Sequence, residues 1–279
     1  MPLLHCTYGK GRVRVTRVFR DGEYNEVRDL EITTMLDGDF SRSWTHGDNR
    51  SVVATDTIKN ISYVVAQENM QACPEALGQA VGTRFLERYQ QIEAVRVAMS
   101  ETRWQRAAFG GAPHPHSFTL DGNGKPIAVV AMTRGGVPAV TSGIAGFTFM
   151  KSTASGWEDY VFDELTTLPP THDRIAAMAM DARWTWQGVP ADYTKTNAAI
   201  LVTMLEVFAT TYSKGVQDSL YRMGEAALAA VPELATVSMA CPNKHYVPMR
   251  MEPLGIASDN TIFIATDEPH GQIECTVGR

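Results

Sequence analysis

Apolar and polar residues alternate over residues 12–18, a period of two that predicts a strand. The polar turn Arg20-Asp21-Gly22 follows, and a second extended run over 29–36 completes a hairpin. Beyond a polar loop comes Val52-Val53-Ala54-Thr55-Asp56-Thr57, where Asp56 or Thr57 is expected to cap a short helix running to Ala66. Pro74 suits the first turn of a further helix, with Leu77, Val81, Phe85 and Tyr89 spaced one helical turn apart. Strands are predicted over 92–99 and 125–132, separated by a loop holding His114-Pro115-His116-Ser117-Phe118.

The second half repeats this order. Residues 143–150 are apolar and rich in aromatic and branched side chains, as strands are. In 174–186, Ala176, Met178, Met180, Ala182, Trp184 and Trp186 share one face at period two, which favours a strand over an Ala-rich helix. Helices follow, one carrying Ile200, Leu201, Met204, Leu205 and Phe208, the other Val216, Leu220, Met223 and Ala227. Strand-like runs over 235–239 and 261–265 come next, with a tail over 273–277 open to a third. Each half thus reads strand, strand, helix, helix, strand, strand, with the break near Gly135-Gly136-Val137-Pro138. The expected fold class is α+β, with domains at 1–137 and 138–279, each an antiparallel sheet carrying a helix pair on one face. Such sheets leave edges open, and an oligomer is the simplest way to close them.

Composition narrows the partners. The 279 residues are 44% hydrophobic and 20% charged, an ordinary globular balance with no low-complexity run. A net charge of −6 disfavours nucleic acid, so an anionic substrate must be drawn by a local cation. No run of about 18 apolar residues exists to span a membrane. Neither a signal peptide nor a C-terminal peroxisomal tripeptide is read, which makes the expected location cytoplasmic. Cys6, Cys73, Cys241 and Cys275 are far apart in sequence and are expected to be free thiols.

Short strings then carry a resemblance. Tyr8-Gly9-Lys10, Val53-Ala54-Thr55-Asp56-Thr57, Lys151-Ser152-Thr153, Thr166-Thr167-Leu168, Asp173-Arg174-Ile175, Val216-Gln217 and Pro242-Asn243-Lys244-His245 resemble the landmarks of urate oxidases, in that family's order. Any one string is weak; all of them in register along the chain are strong. The resemblance implies two tandem tunnelling-fold (ββααββ) domains and a homotetramer whose sheets close into barrels. It also implies active sites between subunits, with the Thr55–Asp56 pair donated by a neighbour.

The implied reaction is oxidation of urate by dioxygen and water to 5-hydroxyisourate and hydrogen peroxide, with no cofactor. Triplet dioxygen normally needs a metal or flavin to pass single electrons to it. A doubly deprotonated urate is itself a good one-electron donor, so the protein need only bind the anion, take a proton and hold dioxygen nearby. By resemblance the base is a Lys10–Thr55 relay supported by His245, and it works only from an uncharged amine, because a threonine hydroxyl is too weak an acid to act alone. Arg174 offers paired donors to the anion, and Gln217 one donor and one acceptor to a lactam edge. Val216 and Asp56 would add backbone N–H groups, and Leu168 a wall. Asn243 and His245, two apart on an extended strand, share a side and suit a joint hold on ring edge and oxygen. Trp157 stands where the family has a phenylalanine, enlarging the stacking face.

No metal ligands are assigned. His114 and His116, even with Cys241, lack zinc-like spacing. Two alternatives remain open: a related tunnelling-fold enzyme acting on another purine or a pterin, generally with zinc, and a purine-binding oligomer without turnover.

Overall fold

Alternation along the chain becomes helix-backed antiparallel pairing in the computed structural model, which describes residues 1–69, 71–258 and 260–279. The chain forms two compact units, Met1–Gly143 and Ile144–Arg279. The first holds β1 (Tyr8–Phe19), β2 (Glu26–Gly38), α1 (Ser41–His46), α2 (Thr55–Glu68), α3 (Pro74–Arg88), β3 (Ile92–Phe109), β4 (Ala112–Asp121) and β5 (Lys125–Thr133). Its strands run β1-β2-β3-β5, antiparallel throughout, with β4 hydrogen-bonded to β3. Inward residues of the hairpin, Val13, Val15, Leu30, Ile32 and Leu36, meet Ile58 and Val65 of α2 and Leu77, Val81 and Phe85 of α3 in one core. Removing this apolar area from water is the main force holding the layer together.

β6 (Ala139–Lys151) leads into the second unit, which continues with β7 (Ala176–Trp186), α4 (Tyr193–Thr210), α5 (Val216–Ala230), β8 (Leu234–Pro248) and β9 (Phe263–Gly278). Here the order is β6-β7-β8-β9. The period-two face of β7 is buried as predicted: Met178, Met180, Ala182 and Trp184 pack on Ile200, Met204 and Phe208 of α4 and Leu220, Met223 and Ala227 of α5. Trp184 brings a polar N–H into this core and satisfies it by donating to Asn197 Oδ1 at 2.9 Å.

Both units close with the same device. After β5, the Arg134 guanidinium donates to the carbonyls of Leu86 (2.7 Å), Tyr89 (2.9 Å) and Ile92 (2.6 Å). After β9, Arg279 donates to the carbonyls of Leu228, Val231 (3.3 Å) and Leu234 (3.0 Å). Each arginine thereby ties carbonyls at the end of a 15-residue helix to the start of the strand after it.

The structure departs from the sequence reading in four places. The predicted loop around His114 is a strand: β3 runs on to Phe109 and pairs with β4, which carries His114 and His116. This arm is mostly exposed, so no buried face imprinted a period on it. Arg106 holds it, donating to the carbonyls of His114 and Pro115, both at 2.8 Å. α1 lay unseen in the polar loop because it buries no residue. α2 starts at Thr55 with Ala54 as its N-cap, so Asp56 and Thr57 lie in the first turn and do not cap it. The runs over 261–265 and 273–277 are one strand, β9, whose register against β8 shifts between Asn243 and His245.

Candidate active site

The second unit contains a cavity of about 1080 Å3 walled by the β6–β7 connection, the start of α5 and the middle of β8. Backbone hydrogen bonds fix the connection. Trp157 and Thr171 exchange a pair at 2.6 and 3.0 Å, Gly156 N donates to Ser213 O at 2.9 Å, and Arg174 N donates to Ser155 O at 2.9 Å. Trp157 and Arg174 are carried into the wall by these bonds, and Leu168 lines it from the stretch between them.

Arg174 is half-buried and its guanidinium carbon lies 6.0 Å from the centre of a Trp157 ring. Its Nε is buried with no hydrogen-bond partner among the described residues. Burial pushes this guanidinium below its ordinary value. An arginine still keeps its charge at any ordinary pH. A buried donor without an acceptor costs roughly 1–3 kcal/mol.

Val216 and Gln217 are the first two residues of α5, where backbone N–H groups lack intrahelical partners. Val216 is buried and Gln217 exposed to the cavity. Gly215, just before them, explains how an indole fits here. A Cβ at Gly215 would stand 2.8 Å from Trp157 Cζ3 and 3.2 Å from Gln217 Oε1. Asn243 and His245 line the same cavity from β8, as period two required. The four residues of β9 between Thr266 and Gly271, the partners of this pair, are where the ladder shifts, and such irregularities commonly re-aim side chains beside a site.

Trp157, Leu168, Arg174, Val216, Gln217, Asn243 and His245 are therefore brought together. Thr55, Asp56 and Lys10 are not in this cavity; they belong to the first unit. There, Tyr8 of β1 accepts a hydrogen bond from Val53 N at 2.8 Å, tying the strand to the segment that enters α2 at Thr55. Gly9 must lack a side chain, because a Cβ would fall 1.9 Å from the Thr34 carbonyl oxygen. Lys10 follows, half-exposed and just before a register shift between β1 and β2. Asp56 is held below its usual value first by the hydrogen bond and charge of Lys59 at 2.5 Å and more weakly by the charge of Lys10. Lys10 thus sits within electrostatic reach of the start of α2.

Sequence reasoning missed Gly215, Tyr160, Pro169, His172 and Arg250. Tyr160 stacks on Trp157, Gly215 makes room for it, and the other three line the cavity. A glycine before a predicted helix was a visible signal; the loop residues left none. His114 and His116 meet edge to face at 4.6 Å, with Phe109 beyond, in an aromatic contact on the β3–β4 arm. Among the described residues no three His, Cys, Asp or Glu side chains converge in a way that would hold a metal ion. All four cysteines are free, and burial pushes the Cys241 thiol up to about 12.

An indole, a half-buried guanidinium and an amide at a helix start thus share one cavity on an α+β scaffold. The family model described as Uricase matches residues 6–131 and 140–274. The chain belongs to the uricase family. It is 37% identical to the uricase of Dictyostelium discoideum over 99% of this chain and 97% of that protein. It is 36% identical to the uricase of Arthrobacter globiformis over 98% and 88% respectively. The crystal structure of the Arthrobacter globiformis uricase superposes with a TM-score of 0.94 at 35% identity, covering 100% of this chain and 95% of that one.

Proposed function

We propose that this protein oxidises urate with dioxygen and water to 5-hydroxyisourate and hydrogen peroxide, with no resident cofactor. One observation carries the reading beyond family membership: the Arg174 guanidinium and the Trp157 ring line one cavity, 6.0 Å apart. A purine anion answers both features, its charge meeting the guanidinium and its flat face the indole.

In this reading Arg174 and Gln217 hold the lactam edge, with the N–H groups of Val216 and Asp56 on neighbouring oxygens and Leu168 closing the side. Lys10, uncharged, draws a proton through the Thr55 hydroxyl, and His245 supports that relay. The dianion then reduces dioxygen held near Asn243 and His245, and water adds at C5 of the oxidised ring. Urate loses two electrons and two protons, dioxygen gains both pairs as hydrogen peroxide, and the water oxygen stays on the product.

The same reading has the chain as two tandem tunnelling-fold domains, 1–137 and 138–279, assembled as a homotetramer with barrel-closed sheets. Each site then combines the 1–137 domain of one chain (Lys10, Thr55 and Asp56) with the 138–279 domain of another. Two observations support it. The relay residues and the cavity residues fall on different units, and both units end in the same arginine closure.

The test is loss of urate's own ultraviolet absorbance in air by chelator-treated protein, with hydrogen peroxide measured alongside. Loss of absorbance with peroxide release is expected. Unchanged urate, oxidised only after iron, copper or flavin is added, would overturn the cofactor-free reading.

A further inference from the structure

The Trp157 ring lines the cavity, while Tyr160, three residues on, does not. The two rings nevertheless stack, with centroids 5.7 Å apart and planes 14° from parallel. Tyr160 therefore stacks on the indole without itself lining the cavity. Its hydroxyl does something else: it donates to the Leu168 carbonyl at 2.5 Å. Leu168 is the second wall residue contributed by this connection.

Between these two points the chain leaves the wall and returns. Its hydrogen bonds there are local: Thr166 N donates to Asp163 O at 3.1 Å, and Leu165 N to Asp163 Oδ1 at 3.0 Å. Val161 is 88% exposed and Leu165 82%, so no core anchors the excursion within the chain. The backbone pair of Trp157 with Thr171 fixes where the excursion starts and ends, but leaves the indole torsions and the Leu168 position free. One side chain spans both.

We propose that Tyr160 is a positioning residue for the purine site: its ring sets the plane of Trp157, and its hydroxyl sets the distance of the Leu168 wall from that plane. It touches no substrate and acts through those two residues. The role rests on the purine-anion reading of the cavity. Pre-setting the stacking plane spares the ligand the cost of ordering it, so the effect belongs to binding and not to proton transfer.

The experiment is equilibrium dialysis of urate in oxygen-free buffer, which reads affinity without turnover. Wild-type protein is the control: no urate binding at all would sink the purine reading and leave Tyr160 without a site to position. Given binding, Tyr160→Ala should weaken urate about tenfold and Tyr160→Phe, which keeps the stack, about threefold. Aerobic assays should show the loss in KM, with kcat within about twofold. In a Trp157→Ala background, Tyr160→Ala should add less than about threefold, because the residue acts through the missing ring. Full additivity in that background, or an unchanged Kd in folded Tyr160→Ala protein, would overturn the proposal. So would a lowered Tm with wild-type KM in both variants, which describes a merely structural tyrosine.

Discussion

Arg174 holds a charged head where burial has pushed its value down, with Nε facing no acceptor. Arg134 and Arg279 are instead satisfied within the chain, by carbonyls at a helix end and at the strand after it. Arg174→Ala should weaken urate binding by roughly 2–5 kcal/mol, read as Kd in oxygen-free buffer. A change under twofold would move the arginine out of the site. Trp157 shows how one substitution is absorbed locally. An indole replaces the smaller ring of the resembled pattern, and its outer edge rests where Gly215 has no Cβ.

At the scale of elements, the buried faces were legible and the exposed ones were not. β7 was read correctly from six side chains at period two because that face packs on α4 and α5. The β3–β4 arm was read as a loop because its two faces are nearly equally wet. β9 was split in two because its ladder shifts opposite Asn243, and no hydrophobic pattern marks such a shift. The cavity residues on β8 and α5 were found through short strings, and their physical reason emerged only in the fold. Gly9 is the clearest case: the string Tyr8-Gly9-Lys10 gives no physical reason for it, and it proves to be the point where β1 presses on the Thr34 carbonyl. Gly9→Ala should force β1 away from β2, moving Lys10, at a cost of about 1–3 kcal/mol in stability. Turnover should fall sharply in folded protein while oxygen-free urate binding holds, since the cavity lies in the other unit. Equal loss of both would tie Lys10 to binding rather than to the relay.

For the whole molecule, the division of residues between units makes a prediction that no single chain can fake. Lys10→Met and Arg174→Ala chains should each be nearly inactive. In the proposed homotetramer, refolding the two together should recover up to about a quarter of wild-type turnover, because some sites then draw an intact half from each kind of chain. A mixture as inactive as its parents would mean that every chain builds its own site.

The paired arginine closures have a consequence of their own. Each half carries its own fastening, so Arg134→Ala should loosen the helix–strand corner of the first unit and leave that of the second intact, and Arg279→Ala the reverse.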